Sequence, residues 1–147
     1  MAVIALRAAS LFVTAALLVQ SGQLDHSTVP RRQLGRIADA LTAHNTANAM
    51  AAFDRSYPDY SKLQAYFDAC GAYQVSNELD VLEENDTDTE AKLTVSWSIT
   101  LTDNDTDYNE QRSTEIHVRM VLKNGQWKIV EFAPIAIFDP LHKGVPS

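Results

Sequence analysis

The sequence predicts an α+β fold in which N-terminal helices pack in a strongly curved, antiparallel four-stranded meander. Two observations predict it. Apolar residues recur every three to four positions up to about residue 70, and then every second position after Tyr73. Within the alternating region, Asn124-Gly125 favours a two-residue hairpin turn, because both central residues of that turn need a positive φ.

Three helices are expected before the sheet. The first covers residues 31–44, and Asn45 is a suitable N-cap for a short second helix that extends through Phe53. Ser61 is expected to cap a third helix, which ends near Gly71. The apolar stripe of the first helix consists of Leu34, Ile37 and Leu41.

The strands are predicted from strict alternation of apolar and polar residues. Residues 89–102 and 112–123 alternate most clearly, while residues 75–83 form a weaker first strand that carries many charges. One apolar face in each clear strand indicates an antiparallel sheet that is covered on one side. The predicted inward residues are Leu93, Val95, Trp97, Ile99 and Leu101, followed by Ile116, Val118, Met120 and Leu122.

A two-residue turn also fixes which residues of the last two strands face each other. This register makes four predicted pairs: Leu122 with Trp127, Met120 with Ile129, Val118 with Glu131, and Ile116 with Ala133. All of these pairs except one are apolar on both sides. The exception places the carboxylate of Glu131 among apolar side chains inside the fold.

Composition excludes several classes of protein. A chain of 147 residues with 46% hydrophobic content suits one domain with a real core. The net charge of −7 argues against a nucleic-acid partner, because few cations are available to neutralise phosphates. Cys70 is the single cysteine, so no disulfide framework or cysteine-based zinc site is expected. No phosphate-binding loop, dinucleotide fingerprint or HExxH motif occurs, and neither a cofactor nor a metal is predicted.

The N-terminal segment is typical of a secretory signal peptide. Twelve uncharged residues, from Ala8 to Val19, follow Arg7, and this length is too short to span a bilayer. We therefore expect a signal peptide over residues 1–21, a linker over 22–30, and an exported protein with no stable membrane insertion after processing. The alternative is an N-terminal helix that docks on the domain.

The arrangement of helices and strands resembles the nuclear transport factor 2-like superfamily, whose fold is a cystatin-like cone. The segments LTAHNTANAMAAFD and NGQWKIVEFAP carry the resemblance, which covers residues 31–139 and leaves residues 140–147 as a C-terminal tail. This superfamily includes SnoaL-like proteins and ketosteroid isomerases. The resemblance implies a pocket at the open end of the cone and a homodimer through the outer face of the sheet.

Several side chains are candidates for the wall of that pocket. Desolvation of an inward Glu131 would raise the pKa of its carboxyl group, as a general acid or base requires. His44 continues the helical stripe and could transfer protons, while the alternative is a residue that ends the helix and bonds a carbonyl. The predicted ligand-binding residues are Glu131, Trp97, Trp127, Tyr66, His44 and Asp54. Tyr57, Tyr60 and Tyr73 are further candidates near the pocket mouth.

No catalytic residue is assigned. Ketosteroid isomerase chemistry needs a tyrosine on the first helix, and residues 31–44 contain none. The segment 103–107 offers alternating oxygens, but Tyr108 stands where a calcium loop needs glycine. We therefore expect a protein that binds a small apolar or amphipathic molecule in the cone without catalysis. The alternatives are a cofactor-free isomerase, dehydratase or hydrolase that uses a pocket carboxylate and a tyrosine, and a non-enzymatic dimeric scaffold.

Overall fold

The computed structural model describes residues 28–140, which form an α+β domain with an open, curved antiparallel sheet, as predicted. The predicted signal peptide, most of the predicted linker and residues 141–147 lie outside the described residues. The elements are α1 Val29–Thr42, α2 Thr46–Met50, α3 Tyr60–Cys70, β1 Gln74–Asp86, β2 Glu90–Thr102, β3 Asn109–Lys123, β4 Gln126–Ala133 and a 3₁₀ helix, Ala136–Phe138.

Helix α1 begins two residues earlier than predicted, within the segment that the sequence suggested as a linker. The hydroxyl oxygen of Thr28 accepts a hydrogen bond from the backbone N–H of Arg31 (3.2 Å), and Pro30 occupies the first turn. Both features favour a helix start, because they satisfy or remove donors that have no partner inside the helix. The expected apolar stripe is buried against the sheet.

Helices α2 and α3 agree with the prediction within a few residues. Asn45 caps α2 as expected: its side-chain oxygen accepts a backbone N–H from the first turn (3.1 Å). The helix ends at Met50, and Phe53 instead forms a parallel bridge with Ile129 at the edge of β4. Helix α3 begins at Tyr60, so the expected cap at Ser61 is wrong: Asp59 holds the N-cap position and Ser61 lies in the first turn. The helix ends before Gly71, as predicted.

The four strands form a meander in the order β1-β2-β3-β4. In β2 every second residue is buried, so the predicted inward face is confirmed. The turn residues Asn124 and Gly125 adopt φ values of 50° and 78°, as the two-residue hairpin requires. Strand β1 is longer than predicted and contains a register shift at Leu82, whose side chain is 47% exposed.

The predicted register of β3 and β4 is correct only next to the turn. Leu122 pairs with Trp127 and Met120 with Ile129, but the register then shifts by one residue at Val130. Beyond this β-bulge, Phe132 lies opposite Val118 and enters the core. The predicted pairs of Val118 with Glu131 and Ile116 with Ala133 are therefore wrong. The bulge buries a phenylalanine in place of a carboxylate, which explains why the fold adopts it.

An aromatic cluster occupies the interior of the cone, where the sequence predicted a partly open hollow. Trp97 and Phe138 meet edge to face with ring centroids 5.4 Å apart, and Phe132 contacts both of them. All three side chains are at most 1% exposed. Phe53 and Phe67 extend the cluster towards α3. These rings fill the space between the helices and the sheet, and their edge-to-face contacts add to the energy of burial.

Candidate functional site

Trp97 lies in the centre of the aromatic cluster and is fully buried. Its indole N–H donates to the side-chain oxygen of Asn77 (3.0 Å), and the amide nitrogen of Asn77 donates to the carbonyl of Ala38 in α1 (3.2 Å). The polar edge of the indole is thus satisfied by protein groups, and Asn77 ties it to α1. This position favours a packing role, while the predicted role of Trp97 in ligand binding stays a prediction.

Glu131 points outward, so the prediction of a desolvated carboxylate inside the cone is wrong. The bulge at Val130 places Glu131 opposite Arg119 on the outer face, and its side chain is 63% exposed. Arg119 donates to Glu131 (3.1 Å) and to Glu90 (2.9 Å). Glu131 therefore belongs to a surface network of charges, which differs from the environment of a buried general base.

Asp54 lies between α2 and α3 and is held in its ionised form. Its carboxylate accepts hydrogen bonds from the hydroxyl and the backbone N–H of Ser56, and Lys123 is 3.1 Å away. These partners, with the Ser56 hydroxyl first, lower the pKa of Asp54 to about 2. Such a carboxylate is a weak base at neutral pH, so the geometry favours a structural link to the β3–β4 hairpin.

His44 does not continue the helical stripe into the cone. The helix ends at Thr42, and His44 is exposed with a φ of 58°. Its Nε2 donates to the carbonyl of Tyr73 (2.7 Å), because a carbonyl oxygen can only accept. The expected orientation towards the cone is therefore wrong, and the alternative of a residue that ends the helix and bonds a carbonyl is confirmed.

The candidate tyrosines do not converge on an open cavity. Tyr57 is buried and donates its hydroxyl proton to the carbonyl of Phe132 (2.6 Å), and burial raises the pKa of this phenol. Tyr66 is half-buried on α3 and packs against the core. Tyr60 lies under the guanidinium of Arg55, which is 5.1 Å from the ring centroid. The ligand-binding role of Tyr66 stays a prediction.

Arg112 is a buried charge that the sequence reasoning missed. It is fully buried and donates to both carboxylate oxygens of Glu110, at 2.9 and 3.0 Å. It also donates to the carbonyls of Ile137 and Asp139 (3.3 and 2.6 Å). These bonds fasten the 3₁₀ helix to β3 and so help to close one end of the cone. A signal existed, because Arg112 shares the inward phase of Ile116.

Cys70 is buried beside this end of the cone. Its thiol donates to the carbonyl of Phe138 (3.4 Å), and burial raises its pKa to about 12. The thiolate is the reactive form of cysteine, so this side chain is chemically inert at neutral pH.

A groove of about 760 Å³ lies outside the cone, between α1, α2 and the start of β4. We call it the α1–β4 groove. Its lining includes four alanines and the half-buried ring of Trp127, with polar side chains around them. The described lining residues are Val29, Gln33, Arg36, Asp39, Ala40, Ala43, Asn45, Asn48, Ala51, Ala52, Gly125, Gln126, Trp127 and Lys128. Of the predicted ligand-binding residues, only Trp127 lines this groove.

Hydrogen bonds across the α1–β4 groove fix its walls. The amide nitrogen of Gln33 donates to the carbonyl of Trp127 (2.8 Å), and the oxygen of the same amide accepts from Arg36 (3.0 Å). Lys128 donates to the carbonyl of Ala51 at the end of α2 (2.7 Å). The backbone of residues 52–54 also bonds to Ile129, so the α2–α3 connection covers the edge of β4. The groove is therefore formed by elements that are fixed to one another.

Two features common in enzymes and membrane proteins are missing from residues 28–140. No three His, Cys, Asp or Glu side chains in this range are grouped so that they could hold a metal ion. None of its helices has both the length and the apolar character that crossing a bilayer requires.

Comparison with solved structures defines the class of fold. A conserved protein from Planctomyces limnophilus superposes with a TM-score of 0.66 at 10% identity, over 71% of this chain and 91% of that one. A nuclear transport factor 2-like protein from Salmonella enterica superposes with a TM-score of 0.57 at 12% identity, over 78% of this chain and 90% of that one. A protein from Novosphingobium aromaticivorans, provisionally named a scytalone dehydratase, superposes with a TM-score of 0.61 at 13% identity, over 70% of this chain and 78% of that one. The chain therefore has the nuclear transport factor 2-like fold, as predicted.

Sequence comparison assigns the chain to a family, which is a narrower group than the fold class. The sequence profile of the C-terminal domain of the anti-sigma-I factor RsgI9 matches residues 35–137, and the chain belongs to this family. No curated protein matches the chain in sequence. The more specific likeness to SnoaL-like proteins and ketosteroid isomerases stays a prediction.

Proposed function

We propose that this domain is a non-catalytic binding module that recognises a small apolar or amphipathic molecule in the α1–β4 groove. The observation that carries the proposal is the filled interior of the cone. Trp97, Phe132 and Phe138 contact one another where a substrate would otherwise lie. Binding therefore takes place outside the cone, which differs from the location that the sequence suggested.

The composition of the groove supports binding of a partly apolar molecule. Ligand sites generally combine an apolar lining with a few polar groups that fix orientation. Here Trp127 and the neighbouring alanines offer apolar surface, while Gln33, Asn45 and Asn48 offer hydrogen bonds. The half-buried indole of Trp127 is the largest apolar side chain of this lining and would contact the ligand directly.

The catalytic alternative has less support. A cofactor-free isomerase, dehydratase or hydrolase needs an acid or base and a tyrosine at one site. Glu131 lies on the outer face beside Arg119, whereas Tyr57 donates to a backbone carbonyl inside the core. Asp54 is paired with Lys123. A binding module without its own chemistry also suits a family that is named after a regulatory protein.

The two tryptophans allow a direct test of where a ligand binds. In Trp97→Phe the only remaining tryptophan is Trp127 in the groove, and in Trp127→Phe it is Trp97 in the cone. On titration with 1-octanol, we expect the emission of Trp127 to change and that of Trp97 to stay constant. A response of Trp97, or of neither residue, would contradict the proposal.

Amide NMR of the unsubstituted protein repeats this test without any change in the core. Shifts on addition of 1-octanol should be confined to α1, α2 and the first residues of β4. Shifts centred on the aromatic cluster would instead place the ligand inside the cone and overturn the proposed site.

Export is part of the proposal, and it rests on the sequence of residues 1–21 alone. A signal peptide would be removed on secretion, so the mature protein should begin near Gly22. N-terminal sequencing of the protein from the culture medium or the periplasm tests this expectation. A chain that retains Met1 in the cytoplasm would contradict it.

Self-association is proposed for the outer face of the sheet. Thr94, Ser96, Ser98 and Thr100 form a row of small hydroxyl side chains on β2, and Ser98 is 2.7 Å from Ser113 of β3. Short side chains leave a surface that a second copy can approach closely. Light scattering after size exclusion should give a mass near 33 kDa for the full chain, about twice the 16.3 kDa of one copy. A monomer at high concentration would contradict this proposal.

A further inference from the structure

We propose that the ligand of the α1–β4 groove is an anion, specifically a free single-chain acid with an apolar body. This inference rests on the function proposed above and names the chemical class of the ligand. It depends on the positions of two cations, Arg36 and Lys128, and on the acidic character of the rest of the chain.

Arg36 and Lys128 stand on different walls of the groove. Arg36 projects from α1, and Lys128 lies at the start of β4 and bonds to the end of α2. Neither of them forms a salt bridge with a carboxylate among residues 28–140. Each is held by a neutral acceptor, the amide oxygen of Gln33 for Arg36 and the carbonyl of Ala51 for Lys128. Both cations therefore keep donors for an external anion.

Half of the eight other Lys and Arg side chains that the structure describes form salt bridges in it. Arg31, Arg112, Arg119 and Lys123 all pair with carboxylates. The chain as a whole carries a charge of −7, whereas the described lining of the groove contains two cations and one carboxylate, that of Asp39. The groove is therefore a local positive region on an acidic protein, and it attracts an anion while the remaining surface repels one.

The apolar part of the lining accounts for the body of the ligand. Trp127 and four alanines of the lining, Ala40, Ala43, Ala51 and Ala52, offer apolar surface to an alkyl or aryl group. A cationic amphiphile would meet Arg36 and Lys128 and be repelled. An uncharged molecule of the same length would gain the apolar contacts alone.

Three molecules with the same eight-carbon chain separate these contributions: octanoate, 1-octanol and octylammonium. Binding to the purified protein is measured at pH 7 by calorimetry, with amide NMR to locate the site. We expect octanoate to bind about tenfold more tightly than 1-octanol, and octylammonium to bind more weakly than either. Raising the salt concentration should weaken octanoate binding and leave 1-octanol unaffected.

Substitutions of the charged lining residues identify the groups that bind the carboxylate. The double variant Arg36→Gln/Lys128→Gln should lose about tenfold in octanoate affinity. Its affinity for 1-octanol, which reports any loosening of the groove walls, should fall much less. Asp39→Asn should increase octanoate affinity, because it removes the acidic group of the lining. Lys62→Gln is the matched control: Lys62 is exposed on α3, outside the described lining, and its substitution should change neither affinity.

The outcomes distinguish this inference from the proposed function. If 1-octanol binds in the groove but octanoate shows no preference, or if the double variant keeps its octanoate affinity, the ligand is not an anion and the binding module remains. If none of the three molecules shifts the amides of the groove, the proposed function itself is overturned together with this inference.

Discussion

The carboxyl groups of Glu84 and Asp86 share one environment at the end of β1, next to the start of α1. Glu84 accepts hydrogen bonds from Thr28 (2.7 Å) and Arg31 (2.6 Å). Burial alone would raise the pKa of Glu84, but hydrogen bonds from Asp86, Arg31 and Thr28 outweigh it and lower this pKa. Burial and the neighbouring Glu84 raise the pKa of Asp86 to about 6. Glu84 thus holds the negative charge, and Asp86 holds a proton at mildly acidic pH.

From this pair we predict that Asp86→Asn raises the free energy of unfolding in a pH-dependent way. The folded-state pKa of Asp86 lies above its ordinary value of 3.8, so its contribution to stability is complete below about pH 4 and is lost as the pH rises through about 6. Asparagine cannot ionise, and the variant should therefore be more stable than the wild type at pH 7.5. The gain should stay below about 1 kcal/mol because the site is exposed to solvent.

Urea denaturation at pH 4.5 and pH 7.5 measures this effect. The difference in free energy of unfolding between Asp86→Asn and the wild type should be larger at pH 7.5 than at pH 4.5. Asp88→Asn, in the exposed turn that follows β1, is the matched control, because it removes a nearby carboxylate and leaves the pair of Glu84 and Asp86 in place. A variant that is less stable than the wild type at pH 7.5 would show that ionised Asp86 has a favourable partner.

Arg112 illustrates how a buried charge can be compatible with an apolar core. Its guanidinium is desolvated, which alone would lower its pKa, but the bidentate contact with Glu110 raises it. A lone buried cation would be costly, whereas one that is paired and bonded to two carbonyls is retained. The alternation of β3 places Arg112 inward, but the sequence does not show which groups would satisfy it.

At the level of elements, two glycines allow a clean comparison. Gly125 closes the β3–β4 hairpin with a φ of 78°, and no atom beyond its two chain neighbours lies within 4 Å of the position that a Cβ would occupy. Gly35 lies in the middle of α1, and the space around its Cβ position is equally open. Alanine at either position therefore meets no steric conflict with residues elsewhere in the described structure. Any change in stability must come from the backbone.

The two substitutions should have opposite effects. Gly125→Ala should lower the free energy of unfolding by about 1 kcal/mol, because an L-residue at positive φ is strained. Gly35→Ala should raise it by about 0.5–1 kcal/mol, because alanine favours the helix and restricts the unfolded chain. Thermal or urea denaturation measures both. A loss of stability in Gly35→Ala would mean that α1 packs against something other than the residues described.

The sequence predicted most elements but not the irregularities between them. Strict alternation was enough to predict β2, and the pair Asn124-Gly125 was enough to predict the hairpin turn. The bulge at Val130 was harder, because β4 carries apolar residues in both phases, Ile129 in one and Phe132 in the other. Only the energy of the assembled core decides which phase is buried at each point. The inward position expected for Glu131 was wrong for this reason.

At the scale of the whole molecule, the interior of the cone depends on a segment that no periodic pattern predicted. The 3₁₀ helix Ala136–Phe138 follows β4 and places Phe138 against Trp97, Phe67 and Phe132. Arg112 fastens this segment through two carbonyls. The three residues of this 3₁₀ helix thus decide whether the interior of the cone is empty or filled with side chains. Members of this fold class can therefore share a sheet and still differ in function.

The filled interior makes a final prediction, which concerns Phe138→Ala. Removing this ring should lower the free energy of unfolding by about 3–5 kcal/mol, the usual cost of replacing a buried phenylalanine with alanine. The cavity left behind would be lined by aromatic rings and would remain dry, so it should accept a small apolar molecule such as benzene. Benzene should then raise the melting temperature of Phe138→Ala, because a ligand that binds only the folded state stabilises it.

The wild type and Leu122→Ala provide the controls for this experiment. Leu122 is apolar but partly exposed at the end of β3, so its removal should cost far less and should open no internal cavity. Benzene should not change the melting temperature of either protein. A benzene-dependent rise in the melting temperature of the wild type would mean that the cone already holds free space, and ligand binding would then belong inside the fold rather than in the α1–β4 groove.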